Sequence, residues 1–170
     1  MAFFDSFAHG EALTEILLEG HNPDAGLKLA TADVDALRQQ LMTSERLQAF
    51  VIGRIVGAGR GVWALTDQSV VLRDAARSAV HRLARAQLVG FEATLGRYGY
   101  TVRLQTAARA WSLFGVDRER ARQMHESLEA GGTPSQWDDR PLRAVAWRDA
   151  QAPGWAQDCL EDARKRLALA

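Results

Sequence analysis

The residues that could carry chemistry in this 170-residue chain are few and widely separated. The sharpest string is IVGAGRGV (Ile55–Val62), whose closely spaced glycines would let backbone N–H groups and a helix N-terminus approach a pyrophosphate. That use needs a small residue at position 62 and then a crossover helix. Val62 stands there and WALTDQSVVL continues in strand-like residues, so the glycines are expected to form a turn between antiparallel strands instead of a nucleotide loop. His9, His21, His81 and His125 are too dispersed for a metal motif. The single cysteine, Cys159, shares an apolar helical stripe with Ala156, Leu160, Ala163 and Leu167, which marks a packed small hydrophobe more than a nucleophile. Neither a G-x-S-x-G elbow nor a Walker phosphate loop is present, and Asp138 and Asp139 read as solvated charges. No catalytic set and no cofactor are expected.

Charge offers a different chemistry. The 21 basic and 21 acidic residues cancel overall but are segregated. Residues 1–45 carry eight acids and two bases, residues 46–116 three acids and ten arginines, and residues 117–170 ten acids and nine bases. Arg54, Arg60, Arg73, Arg77, Arg82 and Arg85 would make an anion or lipid-headgroup site if they converged on one uncovered face. The bland use of the same residues is a solvated face paired within the protein or with the acidic arm of a neighbouring chain. The middle lacks a reader helix or an aromatic RNA-binding signature, so specific nucleic-acid recognition is not expected. No apolar run approaches the roughly 20 residues of a membrane span, and Met1–Asp5 lacks the basic flank of a signal peptide. With one cysteine, a reducing, cytoplasmic setting is the expectation.

Behind these residues the periodicity changes twice. Leu13, Ile16 and Leu17, then Val34, Leu37 and Leu41 after a Thr31 N-cap, predict two short helices in residues 1–45. From Leu47 the period drops to about two. Strands are predicted at 47–57, 61–67, 69–74, 78–83, 88–95, 100–106 and 108–114, with a hairpin turn at Asp67 and Gln68 and a second turn at Gly96–Gly99. Asp117 then caps a helix in which Ala121, Met124 and Leu128 form one stripe, ended by Gly131 and Gly132. A final helix is predicted at about 154–167. Seven short antiparallel strands in about 70 residues must curl to bury an apolar face.

Several strings in this region resemble the bacterial pleckstrin-homology-like domains. GVWALTDQSVVL is similar to that family's second and third strands with a Thr-Asp pair at the hairpin, His81–Gly99 to its fourth and fifth strands and following turn, and SLFGVD (Ser112–Asp117) to the approach to its capping helix. The resemblance covers about residues 46–130. It implies an α+β fold, a seven-stranded antiparallel barrel capped by a C-terminal helix, flanked by helical extensions at 1–45 and 131–170. It also implies a scaffold that binds proteins, peptides or membranes without a shared catalytic constellation. The best-known eukaryotic relatives bind phosphoinositides through basic residues around the first hairpin; Arg54 and Arg60 occupy that region here, without a lysine-rich pattern.

The extensions carry the remaining signal. Trp137, Trp147 and Trp155 supply large apolar area suited either to packing on the protein's own barrel or to an interface, and Phe3, Phe4 and Phe7 pose the same choice. The leading expectation is a non-enzymatic protein-interaction or assembly module forming a homo-oligomer, with a protein or peptide partner. Peripheral binding to an anionic lipid surface is the alternative.

Overall fold

A computed structural model describes residue 16 and residues 30–41, 44–57 and 59–140. Helix α1 (Thr31–Gln40) precedes seven strands, β1 (Leu47–Ile55), β2 (Gly59–Thr66), β3 (Ser69–Asp74), β4 (Ala79–Ala84), β5 (Leu88–Gly96), β6 (Gly99–Thr106) and β7 (Ala110–Val116). Helix α2 (Arg118–Ala130) and a short strand β8 (Ser135–Asp138) follow. The strands form one eight-stranded sheet in the order β4-β3-β2-β1-β7-β6-β5-β8, so the fold is α+β with β4 and β8 as the outermost strands. The compact unit ends at Asp139.

Alternation explains why β2 and β3 are buried along almost their whole length. Val51, Trp63, Leu65, Val70 and Leu72 join an interior shared with β5–β7 and with Ala121, Met124 and Leu128 of α2. Their neighbours Phe50, Val62, Ala64 and Val71 point to the other face, where Val34 and Leu37 of α1 and Ile16 cover them. Each valine, leucine, isoleucine, phenylalanine or methionine among them contributes roughly 1.5–3 kcal/mol on burial. The apolar stripe of α1 is therefore consumed by the chain's own sheet.

Turns and caps form where the local signals are strong. The β2–β3 hairpin turns on Thr66, whose hydroxyl accepts from Gln68 N (3.2 Å) and Ser69 N (2.9 Å), while the Asp67 carboxylate accepts from Arg46 N (2.9 Å). Asp117 caps α2 by accepting from Glu119 N and Arg120 N. Gly57 and Gly59 both have positive φ, 71° and 80°, in the turn between antiparallel β1 and β2. A direct antiparallel pair leaves no crossover helix, so GAGRG belongs to a turn between neighbouring strands and not to a strand–loop–helix unit.

Three expectations need correction. The sheet has eight strands, not seven, and is mixed, because β8 pairs parallel with β5 from Phe91↔Ser135 to Thr94↔Asp138. This strand lies in the stretch assigned to the C-terminal extension: four residues between two prolines carry no periodicity, and only the open edge of β5 specifies them. Second, Ala30, not Thr31, is the N-cap of α1, and its N–H donates to Asp33 (3.3 Å). Third, the last predicted strand, 108–114, lies two residues later in the structure, and Arg85–Gln87 forms a 3-10 turn before β5. Phe3, Phe4, Phe7, Trp147, Trp155, Cys159, the predicted helix at 154–167 and, apart from Ile16, the first predicted helix lie outside the described residues.

Candidate functional site

Most of the six arginines singled out by charge are used inside the fold. Arg73, on β3, is buried and donates through Nε to Asp33 of α1 at 2.8 Å. Arg82, on β4, donates to the Gln40 carbonyl and to the fully buried Glu45, which also accepts from the Ser69 hydroxyl (3.3 Å). Together they pin α1 and its linker to the β3–β4 edge. Arg85 reaches Gln48 (2.9 Å) and the Ser127 carbonyl (2.7 Å), and Gly131 leaves room for its guanidinium. Arg77 pairs with Asp74 (3.5 Å) within the β3–β4 turn. Arg60 is buried on β2, and burial lowers its pKa to about 10, with Asp33 opposing and the neighbouring charge of Arg54 adding to the fall. Of the six, only Arg54 lines the recess beside the β5–β6 hairpin, so the six are not gathered around it.

That recess is a groove of about 1080 Å³ at the end of the sheet where the β5–β6 hairpin, the end of β7 and the start of α2 meet. The hairpin turn presents Arg97 and Tyr98 between Gly96 and Gly99, and Arg97 lies 5.3 Å from the centre of the Tyr98 ring. Arg54 stands opposite Phe114, the one cross-strand pair joining β1 to β7. A shallower continuation is lined by Val56 and Gly57 with the same Arg54 and Phe114. Three of the four exposed large hydrophobics among the described residues, Tyr98 (80%), Val56 (74%) and Phe114 (39%), therefore gather along this surface. Grouped exposed apolar side chains mark interaction sites more than scattered ones do.

One wall is held by a latch. The buried Tyr100 hydroxyl donates to Asp139, which also accepts from Arg118 Nη2 at 2.7 Å, and the Tyr100 ring stacks on Trp137 at 4.7 Å. Trp137 thus packs on the chain's own sheet, and the His125 ring lies 5.7 Å from it at a tilt of 43°. Burial, then the bond to Asp139, pushes the Tyr100 hydroxyl up, so it remains a protonated donor. The Asp139 carboxyl is held below the ordinary 3.8, chiefly by the Tyr100 hydrogen bond, with Arg118 contributing. A depressed folded-state pKa means that the latch contributes at neutral pH and is lost in acid, as pH falls below about 4. The indole N–H resonance of Trp137 should shift over that window, and Asp139→Asn should remove the step. Identical titrations of the two proteins would dismiss the latch.

A second recess of about 240 Å³ lies between the β3–β4 turn and β7, lined by residues that include Arg77, His81, Arg109 and Trp111. The Trp111 indole nitrogen is buried without a hydrogen-bond partner among the described residues, and Arg109 lies 5.3 Å from its ring centre. Among the described residues no group of three or more His, Cys, Asp or Glu is placed to hold a metal, and no helix is long and apolar enough to cross a membrane.

Sequence reasoning placed Arg54 but missed Arg97, Tyr98, Phe114 and Asp139 as one site. Exposed aromatics at a predicted turn, Tyr98 above all, were the available signal. No protein-family model and no curated protein matches the chain. Among solved structures it is similar to the hSac2 domain from human phosphoinositide phosphatase Sac2, at 15% identity and a TM-score of 0.43, over 70% of this chain and 95% of that one.

Proposed function

We propose that this chain is a non-enzymatic protein-interaction module on a pleckstrin-homology-like scaffold, with the Tyr98–Phe114 groove as its docking surface. The scaffold reading is supported by the antiparallel succession β1 to β7 followed by a capped helix packed over the shared interior. The docking reading rests on one observation: exposed aromatic and aliphatic side chains collect beside Arg54 and Arg97 around a glycine-rich floor. Aromatic residues and arginine are the side chains that dominate binding energy at interfaces.

A photo-crosslinking amino acid in place of Tyr98 or Phe114, in cells producing the full chain, should give adducts with a discrete protein. The same group at the exposed Arg103 on β6 should not. The purified partner should then lose at least about tenfold affinity for a Phe114→Asp variant, roughly 1.4 kcal/mol. Equal adducts from all three positions, or unchanged affinity, would reject the reading.

A second reading, anion binding at the smaller recess, is favoured by the unpartnered Trp111 indole N–H beside Arg77 and Arg109. Flotation with phosphatidylserine vesicles at varied salt, lost in Arg77→Gln/Arg109→Gln, would support it. Equal partition onto neutral and acidic vesicles would remove it.

A further inference from the structure

We infer that the groove takes an extended acidic peptide segment bearing aromatic or large aliphatic side chains, an inference that rests on the docking reading above. Its carboxylates would lie on Arg54 and Arg97 and its apolar side chains against Tyr98 and Phe114.

Charge is the first ground. Arg54 and Arg97 are exposed and make no ion pair among the described residues. Arg54 also stands directly across the β1–β2 ladder from Arg60. Like charges facing each other across strands are unfavourable, and an incoming carboxylate relieves that repulsion. The two acids of the groove are already committed: Asp117 caps α2 and Asp139 closes the Tyr100–Arg118 latch. Guanidinium groups hold carboxylates through paired, charge-assisted hydrogen bonds, which gives them a specificity for such a ligand.

Shape is the second ground. Gly96, Gly99 and Gly115 line the groove between the arginine and aromatic side chains. A Cβ at Gly96, Gly99 or Gly115 would lie 2.9 Å from the Gly99, 2.8 Å from the Val116 or 3.4 Å from the Tyr98 carbonyl oxygen, so these glycines let the chain's own β5–β6 turn and the end of β7 close together and give the groove a backbone surface. Alternate side chains of an extended peptide could then meet arginine and aromatic positions in turn. A flat anionic bilayer fits less well, because it would bring its charge against Asp117 and Asp139 on the same wall as well as against the arginines.

The probe is a fluorescein-labelled hexapeptide of alternating glutamate and phenylalanine, titrated with the full chain by fluorescence anisotropy. Its control has glutamine for every glutamate. The glutamate peptide should bind at least about tenfold more tightly, and weaken several-fold between 50 and 300 mM salt as screening grows. Arg54→Gln and Arg97→Gln should each cost about three- to tenfold for this peptide and little for its control, with unchanged circular dichroism. Arg103→Gln should leave both untouched.

Equal affinity for the two peptides, no binding at 1 mM, or indifference to Arg54→Gln and Arg97→Gln would overturn the inference. So would acidic-vesicle binding lost in those two variants, which would make the occupant a membrane. A dimer in sedimentation, broken by Phe114→Asp, would make it a second copy of this chain. A cross-linked partner at position 98 combined with indifference to peptide charge would defeat the acidic ligand while leaving the docking reading in place.

Discussion

Replacing Arg73 with alanine is expected to lower the free energy of unfolding by about 3–5 kcal/mol, because it strands a carboxylate inside the protein. The Asp33 and Arg73 side chains are only 8% and 10% exposed and meet at 2.8 Å. Asp33 keeps the bond from Ala30 N and the nearby charge of Arg60, but neither replaces a guanidinium bonded at 2.8 Å. The ion pair itself need not stabilise the fold. Desolvating both charges offsets most of their attraction, so the double variant Asp33→Asn/Arg73→Met should lie much closer to wild type than Arg73→Ala does. Urea unfolding of the four proteins of the cycle measures the coupling. A loss below about 1 kcal/mol in Arg73→Ala, combined with lost vesicle binding, would return this arginine to the role of a ligand group.

Gly53→Val should cost about 3 kcal/mol and also disturb the groove, through overpacking where β1 crosses β7. A Cβ at Gly53 would lie 2.9 Å from the Phe114 carbonyl oxygen, 3.0 Å from Leu113 Cβ and 3.0 Å from Val116 Cγ2. Gly61 is its partner across the ladder and makes room for the Leu113 side chain. The two glycines thus form a notch into which β7 settles. Leu113 has a flexible tip that can move; the backbone oxygen of Phe114 cannot move without carrying the ring that lines the groove. Valine at 53 should therefore lower the urea midpoint and reduce cross-linking from position 114 together. Lower stability with an undiminished cross-link would separate the crossing from the site.

What could be read before folding follows from local physics. Strict alternation in YTVRLQT, the Thr-Asp turn at positions 66 and 67, and the acid at 117 before a helical stripe each act within a few residues of chain. They emerged at or within about two residues of their predicted positions. β8 was invisible because its four residues have no preference of their own; β5 supplies the ladder and Tyr100 supplies the surface on which Trp137 rests.

The arginines mark the boundary most clearly. Composition and order along the chain settled that the middle third would be cationic, that it would alternate as strands, and that a helix would follow. Which cations meet solvent was decided by the three-dimensional arrangement alone. Asp33 lies 40 residues from Arg73 and Glu45 lies 37 from Arg82, while Arg54, Tyr98 and Phe114 converge from three separate strands or turns. Backbone conformation answers to neighbours along the chain. A site answers to neighbours across it, and only the curvature of the sheet brings those together.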